Sequence, residues 1–171
     1  MIRVERLTEQ NFDRYALDGF IRTHTVKRVY RRQGDEYALI EKPYVEDWSL
    51  EERRETARAV ADAACISYLA LDERGSVMGF ISLKRALEAG YMVLDMLYVS
   101  APWRGKGVGR RLFQKGQEEA RRAGARALYC SACSSEETIA FYRAMGAVLT
   151  DSPIAHMAQA EPCDLQMVCA I

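Results

Sequence analysis

Leu97-Tyr98-Val99-Ser100-Ala101-Pro102-Trp103-Arg104-Gly105-Lys106-Gly107-Val108-Gly109-Arg110-Arg111-Leu112 is the stretch on which the fold of this chain turns. An apolar strand runs to Val99, Pro102 breaks it, a glycine-rich loop follows and a helix begins. Gly105, Gly107 and Gly109 let the backbone come close to a ligand. The first free N–H groups of the helix then point at that ligand, with the positive end of the helix dipole behind them. Such a loop suits a pyrophosphate. Between Arg104 and Arg126 there are eight Lys/Arg and two Asp/Glu, a local excess of six positive charges that favours a phosphate-rich ligand. Two other phosphate motifs fail on spacing. The Walker pattern needs Gly-Lys-Ser/Thr after four intervening residues, and the stretch lacks it. The dinucleotide fingerprint needs a third glycine where Arg110 stands in one frame and where Leu112 stands in the other. A glycine turn with a solvated basic helix is the bland alternative, but strand, loop and helix fall in the order that phosphate binding requires.

Working outward, Arg110 to Ala123 reads as a helix with Leu112, Phe113, Gly116 and Ala120 inward and Gly124 at its end. Upstream, 65–71 and 77–83 form a hairpin around Asp72-Glu73-Arg74-Gly75, and 91–99 is a third apolar strand. Downstream, 127–130 is a short strand, and Ser134-x-x-Glu137 is a capping box opening a helix that stops at Gly146. Final strands are expected at 147–150 and 165–171, joined by a connection containing Pro153 and Pro162. Nearer the start, 2–7 reads as a strand, and Thr8 caps a helix to about Phe20. A hairpin over 26–40 turns at Gln33-Gly34-Asp35-Glu36, and Ser49-x-x-Glu52 is a capping box for a helix to about Ala64. This alternation predicts a mixed α/β (α+β) class.

The 171 residues carry 24 Lys+Arg and 24 Asp+Glu, so formal net charge is zero and a general nucleic-acid binder is not expected. No apolar run reaches the ~20 residues of a membrane helix, and the first residues alternate rather than form a leader; a cytoplasmic location is expected. No repeat or linker divides the chain, so 1–171 is expected to be one domain. The five cysteines include one C-x-x-C, Cys130 and Cys133, without the second pair or spaced histidines that a metal site needs. No metal is expected, and Cys130 reads as a small core hydrophobe.

The central stretch resembles the GNAT superfamily of acyl-CoA-dependent N-acetyltransferases. Arg104, Gly107 and Gly109 match its Arg/Gln-x-x-Gly-x-Gly/Ala signature. Phe141, Tyr142 and Gly146 match a second element, Asn-x-x-Ala-x-x-Phe-Tyr-x-x-x-Gly, from which Ser135 and Thr138 depart. The resemblance is carried by 91–150 and extends over 65–90; the hairpin at 26–40 looks like an elaboration. It implies a mostly antiparallel sheet flanked by helices and splayed between its fourth and fifth strands. It implies acetyl-CoA as donor and a primary amine of a small molecule or peptide as acceptor, attacking directly in a ternary complex. By the same resemblance, Leu97, Tyr98 and Val99 offer main-chain groups to pantetheine. Arg104, Gly105, Lys106, Gly107, Val108 and Gly109 hold the pyrophosphate, Ser135 meets the pantetheine side, and Tyr142 is the general acid.

The chemistry asks for a fixed donor to the developing oxyanion, and a main-chain N–H near Leu97 is placed for it. Asp95, a carboxylate on an apolar strand and on the face of Leu97 and Val99, is the candidate base; a structural carboxylate is the equal alternative. Glu88 is a poorer candidate, and His24 and His156 read as surface residues. Residues 36–48 interleave Glu36, Glu41, Glu46 and Asp47 with Tyr37, Tyr44 and Trp48, an acidic and aromatic wall suited to a cationic amine or simply a solvated hairpin. A non-catalytic acyl-CoA-binding module or sensor is the competing function. The protein is expected as a monomer or homodimer.

Overall fold

The computed structural model describes residues 2–171. Its centre is the hairpin of β4 (Cys65–Leu71) and β5 (Val77–Lys84). Asp72 closes the turn by accepting the backbone N–H groups of Arg74 and Ser76 at 2.9 and 2.8 Å. β6 (Tyr91–Val99) pairs antiparallel with β5, and β1 (Arg3–Arg6) pairs antiparallel with β4. β7 (Ala127–Ala132) joins β6 in parallel, which requires a crossover, and α2 (Val108–Arg122) supplies it. β9 (Leu165–Cys169) and the two-residue β8 (Val148–Leu149) complete a sheet of order β1-β4-β5-β6-β7-β9-β8.

The β6–β7 pairing lasts only from Tyr91↔Ala127 to Leu94↔Cys130. Beyond it the strands part, so the sheet is splayed between its fourth and fifth members. On one face Val108, Leu112, Phe113 and Ala120 of α2 bury against Ile81, Leu83, Met92 and Leu128. On the other, Phe12, Leu17 and Phe20 pack with Ala57 and Val60 of α1 (Leu50–Val60) on Leu69, Leu71 and Phe80. α3 (Glu136–Ala144) follows β7, and α4 (Ala155–Ala160) lies within the last connection, where no helix was expected.

Residues 8–20 form successive turns, not a helix, and bury Phe12, Leu17 and Phe20 while Tyr15 stays exposed. The side chains of Asn11 and Asp13 accept the N–H groups of Thr8 and Tyr15, both at 2.8 Å, and so offer the backbone a local alternative to helix. The capping box at Ser49 forms in full with Glu52. That expected at Ser134 does not form, because Ser135 is the cap of α3. The hairpin of β2 (His24–Gln33) and β3 (Glu36–Glu46) turns where expected, runs past residue 40 to Glu46, and stands as a separate two-stranded sheet. No helix of the described residues is long and apolar enough to cross a membrane.

Candidate active site

The splay leaves one edge of β6 without a strand partner. Ser100 donates its N–H to the Met78 carbonyl at 2.9 Å, which sets the antiparallel ladder. By alternation, the main-chain groups of Tyr98 face Phe80 on β5, while those of Leu97 and Val99 face the splay. The main-chain groups of Leu97 and the Val99 N–H lie on that edge, those of Tyr98 do not, and the Val99 carbonyl is taken by Arg104 at 3.0 Å. The Tyr98 ring joins Trp48 at 4.8 Å and Phe80 at 5.8 Å on the opposite face.

The glycine loop follows. Gly107 is the N-cap of α2 with φ 81°, a left-handed conformation that glycine adopts without strain. The first helical bond runs from the Arg111 N–H to the Gly107 carbonyl at 3.1 Å, and the amides from Gly105 to Arg110 have no protein acceptor among the described residues. They form a run of donors at the positive end of a 15-residue helix. A Cβ on Gly109 would sit 3.2 Å from the ring of Phe141, so this glycine lets α2 approach α3. The Lys106 ammonium lies over Trp103, 5.0 Å from the ring centre. Arg104 has a different task from a phosphate clamp. Its guanidinium donates to the carbonyls of Val99, Thr23 and Arg22 at 3.0, 2.6 and 3.1 Å. It staples the chain before β2 to the end of β6.

Tyr142 projects from α3 and is 7% exposed, and no protein group hydrogen-bonds its hydroxyl among the described residues. Burial pushes its pKa well above the ordinary value, helped by the nearby Cys130, Tyr98 and Asp164. Ser135 is fully buried; its hydroxyl donates to the Thr138 Oγ1 at 2.8 Å and accepts the Thr138 N–H at 3.3 Å. That hydroxyl holds the helix cap, which removes the reason to place it on pantetheine.

Asp95 does not lie with Leu97 and Val99. Ser82 pairs with Met96 but Leu83 with Leu94, so Asp95 is the extra residue of a bulge and the alternation is reset there. Leu94, Leu97 and Val99 face the core under α2, whereas the Asp95 carboxylate meets the Lys84 ammonium at 3.2 Å. Burial works against the Lys84 charge, yet the Asp95 contact raises the lysine's pKa overall. Glu88 pairs with His156 at 2.6 Å on the surface. His24, expected on the surface, is largely buried between Glu46 at 4.0 Å and Glu137 at 3.7 Å. Its pKa is lowered by burial and by the charges of Arg22 and Arg104.

The hairpin supplies a wall from Tyr44, Glu46 and the following Trp48. Arg22 already occupies it: its guanidinium lies 5.4 Å from the Trp48 ring, 4.8 Å from the Tyr98 ring and 2.6 Å from the Glu46 carboxylate. The cation beside this wall is therefore internal. Tyr44 has its pKa pushed up to about 12, first by burial and next by Cys133. Cys130 is a core residue, its thiol raised to about 12 by burial. No group of three or more metal-binding side chains occurs among the described residues. Sequence reasoning gave no role to Asp164, a half-buried carboxylate that accepts the Ser131 hydroxyl at 3.1 Å. Only its place just before the last strand marked it.

The architecture and these elements define an acyl-CoA-dependent transferase. The model of the acetyltransferase (GNAT) family matches residues 35–147, well over half of the chain, and the chain belongs to that family. Acetyl-CoA is the donor co-substrate that the family uses, and the open amides and parted strands fit such a ligand. Comparison with curated proteins gives no match. Among solved structures, a nourseothricin acetyltransferase superimposes with TM-score 0.75 at 19% identity, covering 99% of this chain and 98% of the other. A candidate streptothricin acetyltransferase from Bacillus anthracis str. Ames, in complex with acetyl coenzyme A, gives TM-score 0.75 at 17% identity, covering 100% and 99%. A GNAT family N-acetyltransferase from Escherichia coli in complex with CoA gives TM-score 0.61 at 15% identity, covering 99% and 81%. These identities speak to the fold.

Proposed function

We propose that the chain moves the acetyl group of acetyl-CoA to a primary amine of a small molecule or peptide by direct attack in a ternary complex. The observation that carries this is the set of open groups about the splay: the amides of Gly105 to Arg110, the outward main-chain groups of Leu97 with the Val99 N–H, and the unbonded hydroxyl of the buried Tyr142. The amides take the pyrophosphate and the free edge of β6 takes the pantetheine arm. The Leu97 N–H faces the developing oxyanion. Tyr142 protonates the leaving thiolate. Its raised pKa keeps it protonated at neutral pH, and the same dry surroundings raise the basicity of the thiolate it serves. The Arg104 staple holds the strand end that the pantetheine arm meets.

The test is release of free CoA thiol from acetyl-CoA across an amine panel. The whole-chain likeness to the nourseothricin enzyme puts nourseothricin first in that panel, beside spermidine, lysine and short peptides. Amine-dependent release is expected, and Tyr142→Phe is expected to lower kcat by about 10²-fold or more. Undiminished turnover by that variant removes the general-acid role. Acetyl-CoA binding without turnover on any amine favours a non-catalytic acyl-CoA module.

A further inference from the structure

We propose that Asp164 receives the ammonium group of the acceptor and takes its proton. This rests on the acetyl-transfer reading above and assigns the base that Asp95 does not provide. Asp164 sits one residue before β9, held by its N–H bond to the Glu161 carbonyl at 3.0 Å. Leu165 pairs with Ala132, the last residue of β7, so Asp164 stands where β7 leaves its ladder, on the far side of the splay from β6.

Four hydrogen bonds run toward it in a single direction. The Ile154 N–H donates to the Tyr129 hydroxyl at 3.0 Å, and that hydroxyl donates to Gln166 Oε1 at 2.6 Å. Gln166 Nε2 donates to the Ser131 hydroxyl at 2.7 Å, which donates to Asp164 Oδ2 at 3.1 Å. Each hydroxyl accepts from one side and donates to the other, so the polarity of the chain is fixed and ends on one carboxylate oxygen. Oδ1 accepts no bond from the described residues.

The half-buried carboxylates around the splay are Glu46, Glu136 and Asp164. Glu46 has Arg22 at 2.6 Å and Glu136 has Arg28 at 2.6 Å, while Asp164 has no cation within reach among the described residues. The titratable groups that face it are Glu161 from its own turn, Glu46 from β3, Cys130 from β7 and Tyr142 from α3. None of them carries positive charge. Burial and the charges of Glu161 and Glu46 raise its carboxyl above the ordinary value, against the Ser131 bond. A half-buried, negative place near the unbonded hydroxyl of Tyr142 is complementary to an ammonium ion approaching the thioester.

The proton account balances. The ammonium gives one proton to Asp164, and the amine lone pair forms the N–C bond as the carbonyl π pair moves to oxygen. The oxygen pair returns, the C–S bond breaks, and the thiolate takes the Tyr142 proton. The nitrogen gives its second proton to the Tyr142 phenolate, and Asp164 releases its own to water. No oxidant, reductant or metal is needed.

Two measurements on the full chain test this. In the first, n-butylammonium chloride is titrated into protein carrying 13C-labelled aspartate carboxyls. A saturable shift of the Asp164 resonance, absent in Asp164→Asn, is expected; an unmoved Asp164 resonance, or a response at Asp95 instead, overturns the proposal. In the second, Asp164→Asn is compared with Asp95→Asn on the amine that the wild type acetylates. Asp164→Asn is expected to keep the thermal shift with acetyl-CoA, lose about 10²–10⁴-fold in kcat/KM and lose the acidic limb of the pH profile. Asp95→Asn is expected to stay within about threefold of wild type, in keeping with a partly exposed ion pair. The reverse ranking overturns the proposal. A wild type that acetylates no amine removes the transferase reading, while the carboxyl titration still decides whether Asp164 holds an ammonium ion.

Discussion

Gly107→Ala separates the donor site from the stability of the loop that forms it. The φ of Gly107 is 81°, and a Cβ built there meets nothing within 4 Å, so the cost to the free protein is backbone strain alone. Placing an L-residue in that conformation costs about 1–2 kcal/mol. For a chain of this size that lowers Tm by about 2–8 °C. Acetyl-CoA at 100 times its Kd adds about 2.7 kcal/mol to the wild type, a rise of roughly 5–10 °C. If the new methyl crowds the amides of Gly105 to Arg110 and affinity falls about 100-fold, the same ligand concentration leaves about 0.4 kcal/mol, near 1 °C. Gly124→Ala is the control. Gly124 has φ 70° with nothing within 4 Å, but it lies past the opposite end of α2. Its variant is expected to lose similar stability and keep the full ligand shift. Differential scanning fluorimetry reads both. Equal ligand shifts in the two variants would refute the placement of the pyrophosphate on these amides.

Tyr68→Phe removes the hydroxyl that donates to the buried Glu119 carboxylate at 2.5 Å, leaving Arg122 at 2.7 Å as its side-chain partner; a loss of about 1–3 kcal/mol in urea unfolding is expected. Burial raises the Glu119 pKa, but the Tyr68 and Arg122 contacts outweigh it and the folded value is lowered. Its stabilisation is therefore present above the unfolded carboxylate value and lost as pH falls through the folded one. Glu119→Gln is expected to flatten the acid limb of Tm against pH, and an unchanged limb would count against that linkage. Arg104→Ala frees three carbonyls, so a raised KM for acetyl-CoA and faster proteolysis near residues 22–24 are expected, with kcat less affected. A fall in kcat alone would show that the staple does not act through donor binding.

The sequence made the central sheet legible because its signals are local. Apolar runs, the Asp72 turn, the Ser49 capping box and the glycines around α2 each act within a few residues, and β4 and β6 fall on their expected spans. The misses arise where a distant partner decides. Phe12, Leu17 and Phe20 are buried, but Asn11 and Asp13 capture the backbone before a helix can form. Alternation along β6 put Asp95 on the face of Leu97 and Val99; the bulge that takes it off that face depends on the register with β5. Arg104 belongs to a phosphate signature, yet carbonyls more than 80 residues away take its guanidinium.

The hairpin shows why an acidic and aromatic composition does not by itself make an acceptor wall. β2 and β3 pair with each other and meet α3 through the Tyr30 N–H to the Ser134 carbonyl at 2.8 Å, a Val29↔Ser135 bridge and the Arg28–Glu136 ion pair at 2.6 Å. That docking sets Glu46 and Trp48 where Arg22 can reach both, so an acidic and aromatic stretch arrives already neutralised. Asp164 belongs to no such run. Its neighbours in sequence are Cys163 and Leu165, and nothing local marks it as different from a solvated turn acid. What distinguishes it is the set of partners it receives and lacks: a hydroxyl relay from β7 and β9, and no cation. A carboxylate's availability to an incoming ammonium depends on which internal cations are already committed. That is a property of the tertiary pairing, and a charge count along the chain does not contain it.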